Sequence, residues 1–120
     1  MLLSGVGHLD LLPDGVLTRR YYQRMDLSVD SDALASICRR YGLTEIAVFG
    51  SVARGTAEPG SDIDVLYSLA PDSPLGWDID FLADELAGIF GRPVDLVARR
   101  GLHPRLARVV LSEAQVLYAA

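Results

Sequence analysis

The sequence predicts a single α/β domain in which short strands alternate with helices. Segments with helical periodicity alternate along the chain with short apolar runs rich in Val and Ile. The length of 120 residues suits one domain, and an apolar content of 50% excludes a disordered chain. The sequence contains no internal repeat and no low-complexity segment. This order of elements is typical of a layered α/β or α+β domain with a short sheet flanked by helices.

The first predicted helix begins at Asp30 or Ser31, because both residue types cap helix N-termini. Its apolar residues recur at helical spacing as far as Tyr41, and Gly42 follows as the residue that ends it. The other predicted elements are, in chain order, a strand over residues 45–49, a short helix from residue 52, a loop over 56–61, a strand over 63–67, a loop over 69–76, a helix over 79–90, a strand over 93–97, a helix over 103–111, and a strand or turn over 116–118.

Residues 1–27 show no sustained periodicity and contain a Pro-Asp-Gly turn signal. We expect them to form an N-terminal extension, and three interpretations stay open: a poorly ordered segment, a docking arm, or an artefact of the chosen start site. Residues 28–120 are predicted to form the folded domain.

Composition excludes several classes of function. The longest stretch without charge spans residues 1–9, far short of the roughly 18–20 residues of a membrane-spanning helix, and no basic segment marks a signal peptide. A single cysteine allows no intrachain disulfide, so we expect a cytoplasmic protein. The chain has no lysine, which excludes a Walker A phosphate-binding loop. A net charge of −5 argues against direct nucleic-acid binding.

Charge is distributed unevenly along the chain. Residues 56–91 carry eight acids and no arginine, whereas residues 92–108 carry five arginines and one acid. An acidic block of this kind is either a solvated surface or a cation site. The order of the residues within it decides between the two.

A Gly-Ser turn follows the first predicted strand. Gly50 permits close approach of a phosphate, and Ser51 offers a backbone N–H and a hydroxyl at the start of a helix. Arg54 lies within one helical turn and adds donors for a charged oxygen. The alternative is an ordinary turn without a ligand.

Two further strands carry acids. Asp62 and Asp64 are two residues apart at the start of the second predicted strand, so their side chains share one face and repel each other unless a cation lies between them. Asp95 is the single polar residue in an apolar strand. Mg²⁺ prefers such oxygen ligands. The alternatives are a solvated strand end for the pair, and for Asp95 a salt bridge to Arg92 or Arg99 or an outward-facing position.

A second Asp-x-Asp tests this interpretation. Asp78 and Asp80 belong to a segment with helical periodicity, so about 200° around the helix axis separates their carboxylates. They therefore do not converge on one ion. We expect Asp78, Asp80, Asp84 and Glu85 to form a solvated helix face.

The Gly-Ser turn, the paired aspartates and the third aspartate together indicate a two-metal site for phosphoryl or nucleotidyl transfer. Gly50-Ser51, ten intervening residues and then Asp62-x-Asp64 match the motif of the polymerase-β-type nucleotidyltransferase superfamily. The wider string from Phe49 to Gly55, followed by Gly-Ser-Asp-Ile-Asp, resembles its minimal nucleotidyltransferase (MNT) family. The resemblance covers roughly residues 30–118 and implies a polymerase-β-like core.

The resemblance implies a role for each matching residue. Asp62 and Asp64 would bind two Mg²⁺ ions, and Asp95 would complete one metal site and orient or deprotonate the attacking hydroxyl. Gly50 and Ser51 would hold the β- and γ-phosphates of ATP, with Arg54 assisting.

The resemblance also implies a partner. MNT proteins of this size are similar to antitoxins of bacterial toxin–antitoxin pairs, commonly paired with HEPN ribonucleases. We therefore expect transfer of AMP from ATP to a hydroxyl, a tyrosine above all, of a cognate toxin. Two alternatives stay open: an antitoxin that only masks its toxin, and a small-molecule nucleotidyltransferase that acts as a dimeric homo-oligomer.

Overall fold

The computed structural model describes residues 29–76 and 78–120. A four-stranded mixed sheet lies between helices on its two faces. The elements are, in chain order, α1 (Ser31–Tyr41), β1 (Leu43–Phe49), α2 (Gly50–Arg54), β2 (Ile63–Leu69), α3 (Ile79–Phe90), β3 (Val94–Ala98), a 3₁₀ turn (Arg99–Gly101), α4 (Pro104–Glu113) and β4 (Gln115–Ala119). The predicted α/β class with a short sheet flanked by helices is confirmed.

The two ends of α1 follow the predicted capping chemistry. The Asp30 side chain accepts a hydrogen bond from the Ala33 N–H at 3.1 Å, which satisfies one of the free donors at the helix N-terminus. Gly42 ends the helix in the left-handed conformation, with φ of 68°. A Cβ at Gly42 would also lie 2.9 Å from the Ser73 Cα, so the tight connection into β1 requires glycine.

The strand order of the sheet is β3-β2-β1-β4. β1 pairs with β2 and with β4 in antiparallel fashion, and β2 pairs with β3 in parallel. It follows that the end of β1 and the beginnings of β2, β3 and β4 lie at the same edge of the sheet.

Alternation along the strands divides the core between the two faces. Ile63 and Val65 of β2 point towards α1 and α3, where they join the larger group of buried side chains. Leu66 points to the opposite face and packs with Val110 of α4. Asp64 lies two residues before Leu66 in the same strand, so its side chain points to the same face of the sheet, the face that α4 covers.

The structure extends several predicted elements. β1 begins at Leu43 rather than residue 45, and β2 continues to Leu69. Leu43 and Leu69 pair across the sheet, so each strand supplies hydrogen-bond partners for backbone groups of the other in segments whose sequence shows no strand pattern. α2 begins at Gly50 itself, and α4 continues to Glu113, two residues beyond its predicted end. The uncertain last element is a strand, β4.

The predicted N-terminal extension over residues 1–27 lies outside the described residues. Among the helices of the described ranges, none is both long enough and apolar enough to span a membrane.

Candidate nucleotidyl-transfer site

Sheet register places the predicted site residues at one edge. Phe49, the last residue of β1, pairs with Asp64, and Asp64 pairs in turn with Asp95 of β3. Gly50 directly follows Phe49, so the Gly-Ser turn lies beside Asp64. The structure therefore brings together residues that are up to 45 positions apart in the chain.

Contact between Gly50 and Asp64 is close. Gly50 has φ of 74°, a conformation that L side chains rarely adopt. A Cβ at this position would collide with the Asp64 Oδ2 atom. The turn therefore needs glycine for two independent reasons, its backbone conformation and the carboxylate that lies against it.

The surroundings of Asp64 alter its ionisation. Partial burial raises its pKa, and the neighbouring charges of Asp95, Asp62 and Glu113 raise it further, while Arg54 opposes them. Three carboxylates thus act on a fourth. A divalent cation at this edge would relieve that repulsion, which is the situation the Asp-x-Asp spacing predicts.

Asp62 lies just before β2 rather than within it, and it is exposed. The loop that leads to it is held by Arg92, whose guanidinium donates to the Ser61 carbonyl (3.0 Å), the Ser61 hydroxyl (2.9 Å) and the Glu58 carbonyl (3.0 Å). Arg92 therefore holds the loop segment that leads into Asp62 and Asp64. The sequence pattern indicated Arg92 only as a partner for Asp95.

Asp95 is exposed on the edge strand β3, so no burial penalty acts on its carboxylate although the strand around it is apolar. The suggested salt bridges to Arg92 or Arg99 are wrong. Arg92 binds the loop before Asp62, and Arg99 pairs with Glu45 at 3.0 Å. Of the alternatives considered, the outward-facing position describes Asp95.

Glu113 is a site residue that the sequence motif does not contain. It is the last residue of α4, and its carboxylate accepts from the Gly50 N–H at 3.1 Å and from Arg54 Nη1 at 2.9 Å. Arg54 thus lies at the site but is paired. The signal that could have indicated Glu113 is weak: it is the one acid in the last twelve residues.

The donor set suits a hard cation. Asp62, Asp64 and Asp95 offer carboxylate oxygens, the ligands that Mg²⁺ prefers, and they share one edge of the sheet. In residues 29–76 and 78–120, however, no three acidic, His or Cys side chains are already grouped as ligands of one ion. The two-ion arrangement therefore stays a prediction.

The second Asp-x-Asp lies away from this edge, at the start of α3. Asp80 and Asp84 are exposed, as expected for a solvated helix face. Glu85 is different, and its assignment to that face is wrong. Its carboxylate accepts from Arg40 Nη1 at 2.7 Å and from the Tyr41 hydroxyl, because α1 packs beside α3.

Known proteins share this combination of fold and motif. The family model described as a nucleotidyltransferase domain matches residues 31–117. The protein adenylyltransferase MntA of Thermococcus cleftensis is 39% identical over 74 residues, which are 62% of this chain and 74% of that protein.

Two solved complexes are also similar. One is a toxin–antitoxin crystal structure with AMP-PNP: 28% identity, TM-score 0.61, 77% of this chain and 75% of that chain. The other is a tri-AMPylated HEPN toxin of Shewanella oneidensis in complex with an MNT antitoxin: 25% identity, TM-score 0.53, 75% of this chain and 70% of that chain. The predicted resemblance is thereby confirmed, and the chain belongs to the nucleotidyltransferase domain family.

Proposed function

We propose that this nucleotidyltransferase is an antitoxin that transfers AMP from ATP to a tyrosine hydroxyl of a partner toxin of the HEPN class. The observation that carries the proposal is the pairing of Phe49, Asp64 and Asp95 across the sheet, which sets the Gly-Ser turn against the acidic residues. Similarity to a protein adenylyltransferase and to a complex with an AMPylated toxin supports AMP as the group and a protein as the acceptor.

In this proposal the site residues bind the cations, bind the phosphates and take the proton of the acceptor hydroxyl. Asp62, Asp64 and Asp95 hold two Mg²⁺ ions, which supply charge stabilisation for the phosphates. The Ser51 N–H and hydroxyl donate hydrogen bonds to the β- and γ-phosphates. The Ser51 hydroxyl suits this task because it has no hydrogen-bond partner within the described part of the chain.

The reaction is a displacement at phosphorus. The acceptor hydroxyl oxygen forms a bond to the α-phosphorus of ATP, and the bond from that phosphorus to the bridging oxygen of pyrophosphate breaks. Asp95 orients the hydroxyl and takes its proton. An exposed carboxylate on an edge strand is accessible to a hydroxyl carried by another protein.

The outer surface of α4 is the proposed docking face for the toxin. Leu106 and Val109 are 59% and 57% exposed, which is unusual for large apolar side chains on one helix. Arg105 and Arg108 flank them, and neither forms an ion pair with any described residue. A partner surface with both acidic and apolar residues would complement this face.

The decisive experiment combines the purified protein with α-labelled ATP, Mg²⁺ and the product of the adjacent gene. We expect the label on that partner protein. The Asp62→Ala/Asp64→Ala variant should reduce labelling to background, because the cation ligands are lost. Asp80→Ala/Asp84→Ala is the matched control, since it removes the same charge from an exposed helix face and should leave labelling unchanged.

Two outcomes would contradict the proposal. If the Asp62→Ala/Asp64→Ala variant still neutralises the partner's toxicity in cells, the protein acts by masking its toxin. If the label appears on a small metabolite and on neither protein, the acceptor is not a protein.

A further inference from the structure

The Glu113 carboxylate bridges the two ends of α2. One oxygen accepts from the backbone N–H of Gly50, the first residue of that helix, and the other accepts from the side chain of Arg54, its last residue. A five-residue helix has little stability of its own, and no side chain of its own N-terminus caps it. Glu113 supplies the missing cap from a distant part of the chain.

Sheet pairing explains why Glu113 reaches this position. Gln115, the first residue of β4, pairs with Val48, two residues before Gly50. Ala114, which directly follows α4, is buried in the same apolar cluster as Val110 and anchors the end of that helix. The carboxylate is therefore brought beside the turn by backbone pairing, and its side chain is only 22% exposed.

The bonding pattern leaves donors for a phosphate. Arg54 carries five N–H donors in a rigid fork, of which Nη1 is bonded to Glu113. With one side of the guanidinium held, its orientation is restricted, and the other donors remain available to an anion beside Ser51. The Arg54 side chain is 52% exposed, so an external phosphate can reach it.

We propose that Glu113 is a positioning residue that holds α2 (Gly50–Arg54) in place and orients the Arg54 guanidinium towards the nucleotide phosphates. The inference rests on the proposed function, because it assigns the turn to ATP. Glu113 acts through Arg54 and does not itself contact the nucleotide.

A double-mutant cycle tests this role. In Glu113→Gln the side-chain carbonyl still accepts from the Gly50 N–H, whereas the amide group no longer accepts from Arg54. We expect Glu113→Gln and Arg54→Gln each to weaken binding of Mg²⁺·AMP-PNP about tenfold, as for a lost hydrogen bond to a charged group. The double variant should bind no more weakly than Arg54→Gln alone, because Glu113 acts only through Arg54.

A kinetic readout separates positioning from loss of structure. Since Arg54 would contact phosphate in both the ground and transition states, the variants should raise KM for ATP and leave kcat nearly unchanged. Glu45→Gln is the matched control. The Glu45–Arg99 pair has an N–O distance of 3.0 Å and exposures of 23% and 48%, close to those of Glu113 and Arg54, and its loss should not alter nucleotide binding.

Three results would overturn the inference. Tighter AMP-PNP binding by Glu113→Gln would show that the carboxylate competes with phosphate for the same donors. Unchanged binding would show that the contact has no role in the site. Effects that multiply in the double variant would show that the two residues act independently. A wild-type protein that binds AMP-PNP but labels no partner would instead contradict the proposed acceptor, and the binding cycle would still decide the role of Glu113.

Discussion

Single atoms limit which residues the site accepts. The Gly50 Cα lies so close to the Asp64 carboxylate that a methyl group would displace it. Because Asp64 also pairs with Asp95 across the sheet, a displaced Asp64 carboxylate would change its position relative to Asp95. The conformation of one glycine therefore controls the arrangement of the proposed cation ligands.

We predict that Gly50→Ala lowers AMP transfer about 100-fold, since a misplacement of about 1 Å costs that much in a preorganised site. Initial rates with labelled ATP measure the effect. Gly91→Ala is the control, because Gly91 also has positive φ, at 71°, but a Cβ there meets nothing within 4 Å. Equal losses for the two variants would show that backbone strain alone causes the effect.

At the scale of elements, α1 and α3 are joined by a small polar network. The Glu85 carboxylate accepts from the Tyr41 hydroxyl and from Arg40. These two hydrogen bonds lower the pKa of Glu85. The hydrogen bond between Tyr41 and Glu85 also raises the pKa of Tyr41. Both pKa shifts favour a charged Glu85 beside a neutral Tyr41.

The lowered pKa of Glu85 predicts a pH-dependent contribution to stability. A carboxylate whose pKa is lower in the folded state stabilises the fold above its unfolded pKa, and the contribution is lost as pH falls through the folded pKa. Glu85→Gln should therefore lower the free energy of unfolding by at most about 1 kcal/mol at pH 7 and make little difference in acid. Urea denaturation at both pH values measures this.

The control for this prediction is Glu58→Gln, because Glu58 is exposed and its carboxylate has no partner in the described ranges. A Glu85→Gln effect that is the same at neutral and acidic pH would show that packing, not charge, is responsible.

At the scale of the whole molecule, the acids of the site and the exposed arginines of α4 occupy different parts of the surface. The acids of the site lie at one edge of the sheet, while the exposed arginines of α4 continue from that edge along one face. Since α4 ends in Glu113, a protein bound along this helix would lie beside Asp64 and Asp95. The arrangement would bring an acceptor hydroxyl of the bound protein to the site.

We predict that Arg108→Glu and Leu106→Ser each weaken binding of the adjacent-gene product by about 1–2 kcal/mol, as for central residues of an interface. Raising the salt concentration should reduce the difference between Arg108→Glu and wild type, because screening weakens exposed charges, and should leave the Leu106→Ser effect intact. Titration calorimetry at two salt concentrations measures both. Arg39→Glu, on the exposed side of α1, should bind normally, and an equal loss there would contradict the docking face.

Much of the fold and the motif could be predicted from local patterns. The caps of α1 and the apolar periodicity of α3 are properties of neighbouring residues, and they predicted both helices closely. The spacing from Gly50 to Asp64 indicated the family for the same reason, since a turn and a strand start need only a short segment.

Only the tertiary structure decided which distant groups meet at the site. The positions of Glu113 and Arg92 depend on strand pairing and loop packing between segments far apart in sequence, and no local pattern records such contacts. The exposure of Asp95 and the pairing of Glu85 with α1 were likewise set by which element became an edge strand and which helices became neighbours. The sequence alone determined the chemical groups and the family, whereas the pairing of the strands determined what surrounds them.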